Sequence, residues 1–283
     1  MKKILVPTDF STQSDYALEV ACEIARRANS EIILLHIVES SSSSAIKITG
    51  EMDFGSQEEK LYMFQLIGKA KEELEERQKR PECEGSNINI EVRVGNSYHG
   101  IKSLILEEKV DFVVMGTSGK NSFEEYLVGS TTEKVVRFSK CPVLTIHKKP
   151  ETFDYKHIVF ATGMQDDEKE CLDIVKMAQK LYDSTIHIVR INTPNNFEKD
   201  KESLFSMKLF AEKNGLEKYT LNIFNDVSEE EGIISFAEHI NADLIAIATH
   251  GRTGFAHLLS GSIAEDVVSH ANRPVLTHVI RDN

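Results

Sequence analysis

The chain has 283 residues, 41% of them apolar, and carries 33 Lys/Arg against 45 Asp/Glu for a formal net charge of −12 at pH 7. That balance argues against a nucleic-acid-binding surface, and no apolar run is long enough to cross a bilayer. The length suits two domains of ordinary size.

The charge is uneven: residues 1–150 hold 20 Lys/Arg and 23 Asp/Glu, a net of −3, and residues 151–283 hold 13 and 22, a net of −9. The opening MKKILVPTDFS reaches a strand and a turn too early for a signal peptide. Cys22, Cys83, Cys141 and Cys171 lack paired metal spacing and read as buried or idle thiols of a reducing cytoplasm. No metal site is expected.

In chain order, KILVPTDF (3–10) reads as a strand and turn. Ala17, Val20, Ala21, Ile24 and Ala28 then fall on one helical face. EIILLHIV (31–38) is strand-like, and the Ser40–Ser44 run with Gly50 and Gly55 reads as a flexible insertion. A charged helix over about 56–80 follows, then an alternating strand, INIEVRV (88–94), and a helix near 98–108. VDFVVMG (110–116) has the continuous apolar character of a strand buried on both faces. A helix over 130–139 leads to CPVLTIH (141–147), and KKPETFDY (148–155) is a polar, Pro-containing linker.

The second half repeats the order. HIVFATGM (157–164) is followed by a helical face of Cys171, Ile174, Val175, Ala178 and Tyr182. Next come STIHIVRI (184–191), a helix over 197–214, YTLNIFN (219–225), a helix near 229–240, ADLIAIA (242–248), a helix over 262–271 and RPVLTHV (273–279). Each half therefore reads β-α-β-α-β-α-β-α-β. This alternation predicts an α/β fold of two doubly wound, five-stranded parallel-sheet, Rossmann-like domains, 1–149 and 155–283. Ligands of such sheets sit beyond the carboxyl ends of the strands. His36 and His187, inside apolar strands at matching places, read as structural.

At that end of each half stands a glycine-spaced segment, GTSGKNSFEEYLVGS (116–130) and ATHGRTGFAHLLSGS (248–262). A glycine-lined turn running into a helix N-terminus presents N–H groups to an anion.

VPTDFS (6–11), LLHIV (34–38), GTSG…GS (116–130) and CPVL (141–144) resemble the universal stress protein family. THGRTG (249–254), GSIAEDVV (261–268) and RPVL (273–276) extend the resemblance over the second half, as in a tandem member. The resemblance implies ATP binding, with Mg2+ on the phosphates, in a stress-response regulatory module of the cytoplasm. It assigns Pro7, Thr8 and Asp9 to the ribose and adenine side and Ile37 to the base. Met115 and Gly116 would close over base and ribose, and Ser118, Gly119, Gly129, Ser130 and Thr131 would face the phosphates. It further implies that the last strands of the two halves pair antiparallel, making one chain a pseudo-dimer open to further homo-oligomerisation.

The second half departs from the pattern. Gly163 stands where the first half has Asp9, Ala161 for Pro7 and Ala248 for Gly116, and Asp166-Asp167-Glu168 would repel a triphosphate. Gly251, Arg252, Gly261 and Ser262 remain, so a weakened or altered second site is expected. No nucleophile with a neighbouring base and no G-x-x-x-x-G-K-[ST] loop is present. The alternatives to a binding module are a slow ATPase or nucleotide-dependent enzyme on the same fold, and a nucleotide-free scaffold.

Overall fold

The structure is a computed structural model and describes residues 1–39, 57–117, 128–164, 169–250 and 263–280. The Ser40–Ser44 run, Gly50 and Gly55 lie outside these residues. The first half comprises β1 (Lys3–Pro7), α1 (Thr12–Ala28), β2 (Glu31–Val38), α2 (Gln57–Gln78), a 3-10 turn (Pro81–Cys83), β3 (Asn87–Val94), α3 (Ser97–Glu107), β4 (Phe112–Gly116), α4 (Ser130–Phe138) and β5 (Val143–Ile146). The second comprises β6 (His157–Ala161), α5 (Lys169–Tyr182), β7 (Thr185–Asn192), α6 (Asp200–Lys213), β8 (Tyr219–Asn225), α7 (Glu229–His239), β9 (Leu244–His250), α8 (Ile263–His270) and β10 (Val275–Ile280).

All ten strands form one sheet, in the order β3-β2-β1-β4-β5-β10-β9-β6-β7-β8. Pairing is parallel within each half and antiparallel at the β5–β10 joint. In that joint Leu276 faces Leu144, Val275 faces Thr145 and Thr277 faces Val143. Equivalent residues of the two CPVL/RPVL copies thus meet around Leu144 and Leu276, which places a pseudo-two-fold axis there. Thr145 Oγ1 donates to Val275 O at 3.1 Å, and Thr277 Oγ1 to Val143 O at 3.4 Å, so the side chains repeat the symmetry. Because the joint is antiparallel, the carboxyl ends of the two sets of strands lie at opposite edges of the sheet.

Strand side chains alternate between faces, and this decides which helices they meet. Ile4, Val6, Ile158 and Phe160 pack with residues of α1, α5 and α6, while Leu5, Val159, Val143 and Val275 pack with residues of α3, α4, α7 and α8. Both core layers run across both halves. Phe160 is fully buried, worth about 1.5–3 kcal/mol by transfer.

Helix ends follow their local chemistry. Ser11, Asn96 and Ser228 cap α1, α3 and α7 by accepting an N–H three residues on. Asn29 and Asp183 take the same left-handed turn after α1 and α5, as do Lys109 and Asn241 after α3 and α7. The segment between β5 and β6 is less polar in place than its composition suggests. Tyr155 is buried and Phe153 packs on the core, because both aromatic side chains find apolar surface beside the joint. Lys149 pairs with Glu19 of α1 at 2.7 Å.

Candidate functional site

In the first half the strand order reverses between β1 and β4, and two turns flank that point. The turn after β1 is organised by short polar side chains. Thr8 N–H donates to Leu35 O at 2.8 Å, tying the turn to β2. Thr8 Oγ1 accepts from Phe10 N–H at 3.0 Å and meets Ser14 Oγ at 2.9 Å, while Asp9 Oδ1 accepts from Ser11 N–H at 3.0 Å. Phe10 is left-handed, with φ of 66°, an uncommon state for a bulky residue that the surrounding bonds hold. Its ring stacks on His36 at 4.2 Å and lies under the Arg77 guanidinium at 4.6 Å. Arg77 is itself buried and paired with Asp15 at 2.8 Å and Glu73 at 2.6 Å. His36 Nδ1 bonds Thr8 O at 2.8 Å, so Nδ1 carries the proton.

The second turn leaves β4 at Gly116. Thr117 N–H donates to Ile146 O at 3.1 Å, and Thr117 Oγ1 meets His147 Nδ1 at 2.9 Å. Gly129 N–H returns to Thr117 O at 2.8 Å, and Thr132 Oγ1 donates to Gly116 O at 3.0 Å. The two ends of the intervening loop are thereby clamped at the mouth of α4. Gly129 is the N-cap of α4 and supplies no side-chain acceptor, so no cap side chain occupies the first-turn N–H groups beside the exposed Ser130 and half-buried Thr131. A side chain at Gly129 would meet nothing closer than Thr117 O at 3.7 Å, which leaves the cradle open.

The structure brings Pro7, Thr8, Asp9, Gly116, Gly129, Ser130 and Thr131 to the carboxyl end of the first half's strands. Ile37 and Met115 share the core layer under α3 and α4, and both side chains are buried. Ser118, Gly119, Gly251, Arg252, Gly261 and Ser262 lie outside the described residues, as do Asp166, Asp167 and Glu168. Gly116 has a packing reason of its own: a Cβ there would come within 2.8–3.0 Å of Gln13 backbone and Cβ atoms in the first turn of α1.

Two further glycines in tight packing went unread in the sequence. A Cβ on Gly100 of α3 would strike Ile37 Cδ1 at 2.6 Å, and one on Gly232 of α7 would strike Ile191 Cγ2 at 2.4 Å. The available signal was a glycine at the same place in two equivalent helices. The matching of His36 with His187 is corrected by the register. Lys3 pairs with Glu31 as His157 pairs with Thr185, so His36 corresponds to Arg190 and His187 to Ile33.

The second half preserves the first turn without its carboxylate. Met164 is left-handed, with φ of 59°, and its N–H donates to Thr162 Oγ1 at 2.8 Å. These are the counterparts of Phe10 and Thr8, and Gly163 lies between them where Asp9 lies in the first copy. Among the described residues no group of three His, Cys, Asp or Glu side chains is arranged to hold a metal ion, and no helix is long and apolar enough to cross a membrane.

The family model described as "Universal stress protein family" matches the chain twice, over residues 1–147 and 154–278. A universal stress protein of Methanocaldococcus jannaschii is 31% identical over 155 residues, spanning 52% of this chain and 96% of its own. One from Synechocystis sp. is 22% identical across 98% of this chain and 99% of its own. Among solved structures, a universal stress protein from Archaeoglobus fulgidus covers 97% of this chain and 97% of its own with a TM-score of 0.77 at 22% identity, a likeness of fold.

Proposed function

The chain belongs to the universal stress protein family, and from that premise we propose that it is an ATP-binding regulatory module of the cytoplasm. On this reading the unit 1–149 holds the nucleotide and the unit 155–283 carries an altered site. The observation that carries the reading is the pair of first turns. Thr162 and Met164 reproduce the turn of Thr8 and Phe10 around Gly163, so the Asp9 carboxylate is not needed to shape it. Ser11 rather than Asp9 caps α1. Asp9 Oδ1 accepts from Ser11 N–H, but the second copy keeps the turn without that bond, so a carboxylate placed at the strand ends is suited to accept from ribose hydroxyls as well.

The residues present fit the phosphates as well. The α4 N-terminus supplies N–H groups, the Ser130 and Thr131 hydroxyls and a glycine entrance open to close approach. Mg2+ would ride on the phosphates, with its remaining positions held by water. Ile37 and Met115 would form the buried floor beneath the base, and Ser118 and Gly119 would complete the loop. Gly251, Arg252, Gly261 and Ser262 would give the second unit a residual anion loop.

Titration calorimetry with Mg-ATP tests this. Asp9→Ala removes a charged acceptor worth about 1.5–3 kcal/mol, so affinity is expected to fall roughly tenfold or more. Gly129→Asp fits the open space at the helix entrance and puts a carboxylate where phosphate is expected. It should weaken binding with a native circular dichroism spectrum. Unchanged affinity in both folded variants would remove the first-half site, and no binding of any adenine nucleotide by the native chain would favour a nucleotide-free scaffold.

A further inference from the structure

Two of the four cysteines meet. Cys22 lies in the middle of α1 and Cys83 ends the 3-10 turn before β3. Their Sγ atoms are 3.1 Å apart, with the residues 0% and 3% exposed. The turn is held on α1 by Arg26, whose Nη1 donates to Glu82 O at 2.8 Å and Glu84 O at 3.2 Å, and by Ser86 Oγ, which donates to Cys22 O at 3.4 Å. A disulfide needs the sulfurs to close to about 2.05 Å, a movement of roughly 1 Å.

We propose that Cys22 and Cys83 are a covalent modification site, a dithiol that a peroxide converts reversibly to an intramolecular disulfide. The Cys22 thiolate attacks one peroxide oxygen and the O–O bond breaks. This gives a Cys22 sulfenic acid and hydroxide, which takes up a proton to leave as water. The Cys83 sulfur then attacks the Cys22 sulfur, the S–O bond breaks, and the Cys83 proton departs with the hydroxyl as a second water. Two thiols and one hydrogen peroxide become one disulfide and two waters, with both sulfurs oxidised and both peroxide oxygens reduced.

The division of roles follows the surroundings. Hydrogen bonding from Cys83 favours the Cys22 thiolate against the opposing effect of burial, and Ser86 and the Arg26 charge add to it, so Cys22 ionises more readily than an ordinary thiol. Cys83 is held protonated by its bond to Cys22 and by burial. The turn is short and its neighbours Glu82 and Glu84 are exposed, so a small opening of this surface turn admits peroxide. Cys141 lies in the core layer on the opposite face, and Cys171 belongs to α5 of the second half. The site does not depend on the nucleotide reading.

The test uses the full reduced chain under native conditions. Hydrogen peroxide is added, remaining thiols are blocked with N-ethylmaleimide, and the digest is mapped by mass spectrometry. The expected result is a linked Cys22–Cys83 peptide pair, two of the four thiols lost, and full recovery with dithiothreitol. In Cys83→Ala the reaction should stop at a Cys22 sulfenic acid that dimedone traps. Oxidation confined to Cys141 or Cys171, separate sulfinic acids at Cys22 and Cys83, a linked pair seen only in urea, or no oxidation at all would each overturn the proposal.

Discussion

His187 shows how a single side chain in this sheet is tuned by its neighbours. Its Nε2 lies 3.0 Å from His157 Nδ1, and its Nδ1 bonds Thr220 Oγ1 at 2.8 Å. Burial, and then the charge of His157, lower its pKa below the usual value. The folded state therefore takes up this proton less readily than the unfolded chain. The neutral ring's contribution is fully present above the ordinary histidine pKa of about 6.5 and is lost as pH falls through the lower folded value. Urea midpoints at pH 7.5 and 5.5 should fall on acidification, and His187→Gln should fall by less. An equal drop in the variant would place the effect elsewhere. The sequence showed both histidines but not their meeting, because that pairing depends on the register of β6 against β7. The same register moved His36 away from its supposed counterpart. The places of Asp9 in the turn after β1 and of Gly129 at the start of α4, by contrast, were legible because both features are local.

At the scale of elements, the repeat made nearly every strand and helix readable, since each segment had a second copy to check its periodicity. The packing between elements was not readable in that way. Gly116 looked like a ligand residue, yet the close approach of α1 already requires it. Gly116→Ala makes the distinction measurable. Replacing glycine in a non-left-handed position stabilises by about 0.4–1 kcal/mol through the unfolded chain, while overpacking costs about 1–3 kcal/mol. The contact at Gln13 is to backbone, which cannot swing aside, so the loss should win. Chemical denaturation should show a clear net destabilisation of Gly116→Ala. A neutral or stabilising result would mean that β4 and α1 separate easily and that packing alone does not require Gly116.

For the whole molecule, the two halves are separate repeats in sequence but share both core layers. The β5–β10 ladder and the side chains around Leu144 and Leu276 make their boundary part of the interior. Calorimetry should therefore give one cooperative unfolding transition, with the van't Hoff and calorimetric enthalpies agreeing. Two resolved transitions, one for each half, would show that the joint is weaker than its burial implies. The linker's composition alone marked only a polar, Pro-containing boundary between the halves. Its aromatic residues pack on the core, which composition alone did not show.

The joint also sets an order of events during synthesis. β5 is complete once Ile146 has emerged, but its partner begins only at Val275. At about 5–20 residues per second, the ribosome needs roughly 6–26 s to make the stretch between them. For that interval the nascent first half shows a row of unpaired backbone donors and acceptors along an apolar strand. Polysomes bring many such half-made chains close together, each offering the same edge to its neighbour. The closely similar CPVL and RPVL strands that seal the finished molecule are thus also a means by which two unfinished ones can recognise each other.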